Sequence, residues 1–284
     1  MDLIIVRYAE MGLKSRPVRQ RFERILIDNM MGALASVGVE GLISTESGRV
    51  YVRSDNEESA MKAISMVFGV ASLSPVLQCK ATMDDIKSKT AEFSTTLIGE
   101  GQSFAVRARR EGVHDFSSMD INREVGSAIW TANQDKGVSV NLQKPDVEVF
   151  VEVRGARAFI FHRFIPGPGG LPMGSQGKVV ALASQERDLL AAWLMMKRGC
   201  KVSVVTEDES LVLTLRRWDP NLRVEPLSNQ EYLVHRWGAL ATVYGYTFRE
   251  VERITAIHSP LPSFFPLVGM DDREIDERLK AIQA

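Results

Sequence analysis

Eight of the twelve residues in 166–177 are glycine or proline. Such a run cannot continue a helix or a central strand, so it divides the 284-residue chain by composition alone. The two sides are patterned differently. Before it, residues 103–109 set Phe104, Val106 and Ala108 against Ala105, Arg107 and Arg109, while 146–153 and 157–164 alternate around Arg154-Gly155 as a hairpin. After it, residues 179–182 and 202–205 read as buried-type strands joined by a helical stretch, 184–198, that Gly199 stops. This reads as a βαβ unit and hence a parallel sheet. Trp193 and Met195-Met196 are expected to pack its core, and the remainder reads as short and mostly helical.

The first part resolves further. A strand at 3–6 precedes a helix that Pro17 opens, with Val18, Phe22, Ile25, Leu26 and Ala33 at helical spacing and Gly38 as its stop. Residues 42–46 and 49–53 form a hairpin turning near Ser47-Gly48. Ser54 or Asp55 caps a second helix through Met66, stopped near Gly69. Strand, helix, strand, strand, helix predicts a small sheet with helices on one face. Another unit starts near Ala71: a strand at 76–79, a helix that a Thr82/Asp85 capping box opens toward Ile98, the strand at 103–109, and a helix that Ser117 and Asp120 open and that runs to about Ala132. The expected division is 1–70, 71–165, a linker at 166–177, and 178–284. The fold class is two α+β domains followed by a shortened α/β domain.

Formal net charge is −1, so overall charge says nothing about nucleic acid and local clustering must carry any such signal. Lys14, Arg16, Arg19, Arg21 and Arg24 cluster against a single acid, Glu23. Cys79 and Cys200 stand far apart without a CxxC, and His114, His162, His235 and His258 lack metal-ligand spacing, which argues against a disulfide framework and against a metal. No serine sits in Gly-x-Ser-x-Gly. No signal peptide opens the chain and no apolar run approaches the ~20 residues that span a bilayer. The expectation is a cytoplasmic protein with no membrane contact.

Several stretches together resemble one family. They are Arg7-Tyr8-Ala9-Glu10-Met11-Gly12-Leu13-Lys14; Val106-Arg107-Ala108-Arg109-Arg110, then His114-Asp115-Phe116-Ser117-Ser118 and Ile121-Asn122-Arg123-Glu124-Val125-Gly126; Pro145-Asp146-Val147-Glu148-Val149; and Gly167-Pro168-Gly169-Gly170-Leu171-Pro172 through Lys178. A weaker match lies at Phe265-Pro266-Leu267-Val268-Gly269-Met270-Asp271. In order and spacing these resemble the tRNA 4-thiouridine synthetase (ThiI) family. The resemblance implies a ferredoxin-like domain, a THUMP domain that recognises the 3′ CCA end of tRNA, and a PP-loop domain that uses ATP to adenylate a uridine before a persulfide delivers sulfur. It also implies a homodimer.

The departure from that pattern lies at residues 183–188. The family's PP-loop reads Ser-Gly-Gly-x-Asp-Ser, whereas this chain has Ala183, Ser184, Gln185, Glu186, Arg187 and Asp188. Phosphate loops need bare backbone amides at a helix start, and glycines let the phosphate approach them. Gln185 and Glu186 crowd that approach, and Glu186 repels an anion; Arg187 and Ser184 are the groups left to hold one. The Gly/Pro segment is no substitute, because it lacks Gly-Lys-Ser/Thr and its prolines remove N–H donors. Nor does either cysteine match the family's catalytic position. The sequence therefore predicts no catalytic residue, no cofactor and a sheet retained for packing or RNA contact.

Candidate RNA-binding residues follow from the basic clusters and the resemblance: Lys14, Arg16, Arg19, Arg107, Arg109, Arg110, His114, Ser117, Ser118, Asn122, Arg123 and Lys178. Arg107 and Arg109 share one side of their strand, and a guanidinium fork suits phosphate. They equally suit salt bridges to Glu111 and Asp115. Ser117 caps a helix whose N-terminus also suits an anion. Lys178 touches RNA or caps its strand. The leading expectation is a non-catalytic tRNA-binding protein that assists a separate sulfur-transfer or thiolation enzyme. The alternatives are a working tRNA sulfurtransferase, in 4-thiouridine or thiamine thiazole formation, with an altered ATP site or a partner, and a structural subunit with no RNA role.

Overall fold

A computed structural model describes residues 2–8, 10–46, 48–235, 237–257 and 259–283. Ala9 of the first motif, Ser47 of the predicted turn and His258 lie outside them. In chain order the elements are β1 Asp2–Tyr8, α1 Arg16–Ser36, β2 Gly41–Glu46, β3 Arg49–Ser54, α2 Glu57–Ile64, β4 Val70–Lys80, α3 Met83–Leu97, β5 Ser103–Glu111, α4 Ser118–Ala132, β6 Ser139–Val140, β7 Val147–Arg154, β8 Arg157–Phe161 and β9 Ile165–Pro166. Then follow β10 Lys178–Leu182, α5 Glu186–Lys197, β11 Lys201–Val205, α6 Leu213–Arg216, β12 Arg223–Glu225, α7 Gln230–His235, β13 Ala241–Val243, α8 Val251–Thr255, β14 Ser263–Phe264 and α9 Asp272–Gln283.

The chain packs as two compact units, the first comprising 1–6, 41–61 and 73–165, the second 7–40, 62–72 and 166–284. In the first, one sheet runs β2-β3-β1-β4-β8-β7-β5-β6, with β9 beside β4. Neighbours β1 and β3, β4 and β8, and β7 and β8 are antiparallel; β5 and β7 are parallel, Arg107 opposite Phe150 and Arg109 opposite Glu152. Helices α3 and α4 cover one face. Ile86, Ile121, Val125 and Ile129 pack there on Phe104, Val106, Val149 and Val151, all buried. Buried Asn133, just past α4, ties the two helices together by donating to Ser94 Oγ at 2.8 Å and to Ile129 O at 2.9 Å.

Local details correct the sequence expectations. The second helix begins after Asn56, whose Oδ1 accepts from Ser59 N, because the Ser54 hydroxyl is already taken by Asn56 N. It ends at Ile64, short of Met66. At α3 the capping box is half made. Thr82 accepts from Asp85 N, but the Asp85 carboxylate turns to Lys80 N at 2.7 Å. Strand β4 is eleven residues long, starting at Val70 rather than 76. Val18 is exposed; the buried stripe of α1 is Phe22, Leu26, Met30 and Leu34.

In the second unit β10 lies between β11 and β13, in a wholly parallel sheet ordered β12-β11-β10-β13-β14. The expectation that the remainder is mostly helical is therefore corrected by three strands. Each is two or three residues long, too short to show a period. Helix α5 is buried on nearly every side, Trp193, Met195 and Met196 included, and Phe68, Trp193 and Trp218 form an aromatic cluster with ring centroids 5.3 to 5.5 Å apart. The Gly/Pro segment is hydrogen-bonded along its length: Leu171 N donates to Lys197 O at 3.0 Å, and Gly174 N and Gln176 N to Gly199 O. At Gly170, with φ +74°, a Cβ would collide with Lys197 O. Only glycine permits that approach.

Candidate nucleic-acid interface

Helix α4 has two stripes. Ile121, Val125 and Ile129 face the core, while Met119, Arg123, Gly126 and Trp130 follow one another at helical spacing on an open side. This second stripe, β5 and the edge strand β6 bound a groove of about 590 Å³. Phe104 and Val106 line its strand side and Leu142 its lip; Met119 is 80% exposed, Leu142 65% and Trp130 48%. Arg107, Asn122 and Arg123 supply its polar groups. The pattern of apolar floor, exposed indole and guanidinium rim can hold a planar ring beside a phosphate.

Part of this chemistry is spent internally. Arg107 Nε pairs with Glu148 at 2.8 Å, and its Nη2 donates to Leu142 O. The parallel β5–β7 pairing, not the neighbouring Glu111 or Asp115, supplies that partner. Glu111 instead pairs with Arg154 at 2.5 Å. Arg110 donates to Gly112 O, while Arg109 is exposed on the same side of the strand as Arg107, without an ion pair among the described residues. Asn122 Oδ1 accepts from Ala108 N, which leaves its NH2 group for other partners. Arg123, with a side chain 72% exposed, pairs with Asp120 and Glu124.

The start of α4 is self-capped. Ser117 N and Oγ both donate to Asp120, and Asp120 N donates back to Ser117 Oγ. The bonds from Ser117 hold the Asp120 carboxyl below the ordinary carboxylate range. An anion approaching Ser117 or half-buried Ser118 meets that carboxylate. His114 clamps the loop after β5 by binding Gly155 O at 2.7 Å, its ring 5.4 Å from that of Phe116.

The other basic candidates belong to the second unit. Lys14 and Arg16 are exposed, and Arg19 lies 4.0 Å from Glu23, one turn on along α1. Lys178 Nζ donates to Trp237 O at 3.0 Å and sits over that indole. The sequence candidates therefore fall into separate groups, and only Arg107, Asn122 and Arg123 line the groove. Trp130, Met119 and Leu142 were missed; the second stripe of α4 was the available signal for the first two.

The loop after β10 has a different polarity. Asp188, 4% exposed, folds back over it: Asp188 Oδ2 accepts from Ser184 N at 2.9 Å, Ser184 Oγ at 3.2 Å and Gln185 N at 3.2 Å. Arg187 pairs with Glu250, and Glu186 is exposed. The groups expected to hold an anion, Ser184 and Arg187, are thus both engaged with carboxylates. Both thiols are buried: burial, aided by Asp85, pushes Cys79 up to about 11, and burial raises Cys200. Among the described residues no cluster could hold a metal ion, and no helix is long and apolar enough to cross a membrane.

The family model for the ThiI ferredoxin-like domain matches residues 3–74, and that for the THUMP domain residues 80–163. The "Probable tRNA sulfurtransferase" of Methanosarcina acetivorans is 42% identical over 208 residues, 72% of this chain and 50% of the relative. The tRNA sulfurtransferase of Thermoplasma acidophilum is 35% identical over 218 residues, 76% of this chain and 44% of the relative. The chain spans about half the length of the curated relatives it matches. Among solved structures, PH1313 from Pyrococcus horikoshii superposes with a TM-score of 0.87 and 28% identity over the whole of both chains. A 4-thiouridine synthetase solved with RNA and bound ATP gives 0.81 and 23% over 99% of this chain and 85% of that one, a likeness of fold. By its ferredoxin-like and THUMP domains and these relatives, the chain belongs to the ThiI family.

Proposed function

We propose that this chain docks tRNA by its acceptor end and does not itself adenylate it. The observation that carries the docking is the groove along α4, where Trp130 offers a stacking face next to Arg107 and Arg123. Exposed single-stranded bases stack on aromatic rings while guanidinium groups take the flanking phosphates, which is the chemistry of an unpaired 3′ end. Arg109 on the adjoining face is available for further backbone contact. The family's THUMP domain and the RNA-bound fold relative support the same choice of partner.

The second half of the proposal rests on residues 183–188, which do not fit a polyphosphate. Two amides that such a loop would offer, those of Ser184 and Gln185, already bind Asp188. Replacing that carboxylate by a phosphate would leave Asp188 buried and unpaired, at a cost of several kcal/mol. Neither buried thiol has the electropositive, accessible setting of a reactive thiolate. Any thiolation of the docked tRNA then falls to a separate sulfur-transfer enzyme.

Fluorescence anisotropy with whole tRNA and with tRNA lacking its CCA end tests the docking. Loss of the CCA end is expected to weaken binding at least tenfold, and equal affinity for both would sink it. ATP–pyrophosphate exchange in the presence of tRNA tests the other half. Exchange above background would make the chain an adenylating enzyme.

A further inference from the structure

The strand order of the second unit reverses at β10: the chain goes outward to β11 and β12, then returns to β13 on the other side. In open α/β sheets the crevice beyond the carboxyl ends of the strands at such a reversal is where ligands bind. Here it holds a cleft of about 380 Å³, within the range of small-molecule sites. The proposed loss of adenylation says only what this cleft does not do. Its own walls say more.

Leu182, Val205 and Leu227 make the cleft largely apolar. Tyr244 and Tyr246 face it as two stacked rings, 5.6 Å apart and inclined by 16°, and Phe265 extends the stack beside Tyr244 at 5.7 Å. Among the described residues, every charged side chain in the lining is an acid: Asp188, Glu207 and Asp208. Hydrogen bonds from Ser210 hold Asp208 below the ordinary range, so it is ionised at neutral pH. Glu207 is anchored by Leu227 N at 2.8 Å. Asp188 is nine-tenths buried, and all its hydrogen bonds from described residues go to Oδ2; Oδ1 lies beside Gly245, where a Cβ would collide with it. The glycine makes room for Oδ1 itself, an acceptor with no donor among the described residues.

We infer that this cleft binds a planar heteroaromatic that carries N–H donors and no phosphate, neutral or cationic, as in a nucleoside. The stacked tyrosines take the ring face, Asp188 Oδ1 accepts from the ligand's N–H groups, and the three carboxylates exclude anions. The inference rests on the reading of residues 183–188 given above, but not on tRNA docking.

The test is calorimetry on the full chain with four probes that share one ring: N1-methyladenosine, cationic at neutral pH, adenosine, AMP and ATP. Affinity is expected to fall in that order, with ATP at least about tenfold weaker than adenosine. Glu207→Gln, which retains an oxygen for Leu227 N, is expected to narrow the spread about threefold without unfolding the chain. Asp188→Asn is expected to weaken adenosine about tenfold, with circular dichroism to separate loss of binding from loss of fold. ATP binding as tightly as adenosine would overturn this inference and the reading of the loop together. No binding by any of the four at millimolar concentration would overturn the inference alone and leave the tRNA measurement standing.

Discussion

The groove on α4 and the cleft beyond β10, of about 590 and 380 Å³, both have aromatic walls, yet their linings carry opposite charge. The groove has Arg107 and Arg123 at its edge; the cleft has Asp188, Glu207 and Asp208. Shape alone would assign either of them a nucleotide. Charge separates them, because a phosphate beside three carboxylates is repelled while one beside a guanidinium is attracted.

The sharpest way to break this contrast is Gly245→Ala. The new Cβ collides with Asp188 Oδ1, so the cleft and the cap of α5 cannot both persist. We expect a loss of roughly 3 kcal/mol of stability, read by denaturant unfolding. Affinity for tRNA measured on the folded fraction should stay within about twofold. Next is the double reversal Arg107→Glu with Arg123→Glu. It should weaken tRNA binding on the order of 100-fold at low salt, with a shallower salt dependence, and leave binding of adenosine unchanged. Equal loss at both sites would mean that the two regions are not independent. Trp130→Ala comes third: about a tenfold loss for tRNA with an intact 3′ end, and almost none for tRNA trimmed of it.

The smallest effect expected is that of Ser117→Ala. The folded-state pKa of Asp120 is lowered by Ser117. Its contribution is therefore present at neutral pH and is lost as pH falls through that lowered value. Ser117→Ala should move the Asp120 titration, followed by NMR, back toward the ordinary range and flatten stability on the acid side. An unmoved titration would mean that Ser117 is not what holds Asp120 down.

Elements with a long period were legible in the sequence. The α4 capping box, the β7–β8 hairpin and the β10-α5-β11 unit all stand where residue pattern put them. What was hidden depended on partners distant in the chain. Arg107 finds Glu148 through a parallel pairing that no local pattern announces. Ser72, Ser74 and Pro75 masked the first half of β4 as a break. The departure from a glycine loop at 183–188 could be read directly, but Asp188 turning back onto the loop could not, nor could the meeting of Tyr244 and Tyr246 with Glu207 and Asp208, because β13 is three residues long.

Strand β4 begins before the end of the ferredoxin-like match and runs into the THUMP match. It has β1 on one side and β8 on the other, so the two modules share a central strand of one sheet. Scissors applied at the boundary that family matching suggests would therefore not release two parts. They would leave two raw sheet edges, each with unpaired amides and carbonyls ready to join a neighbouring molecule. For anyone preparing fragments of this protein, a cut within residues 70–80 divides one sheet and does not separate two domains.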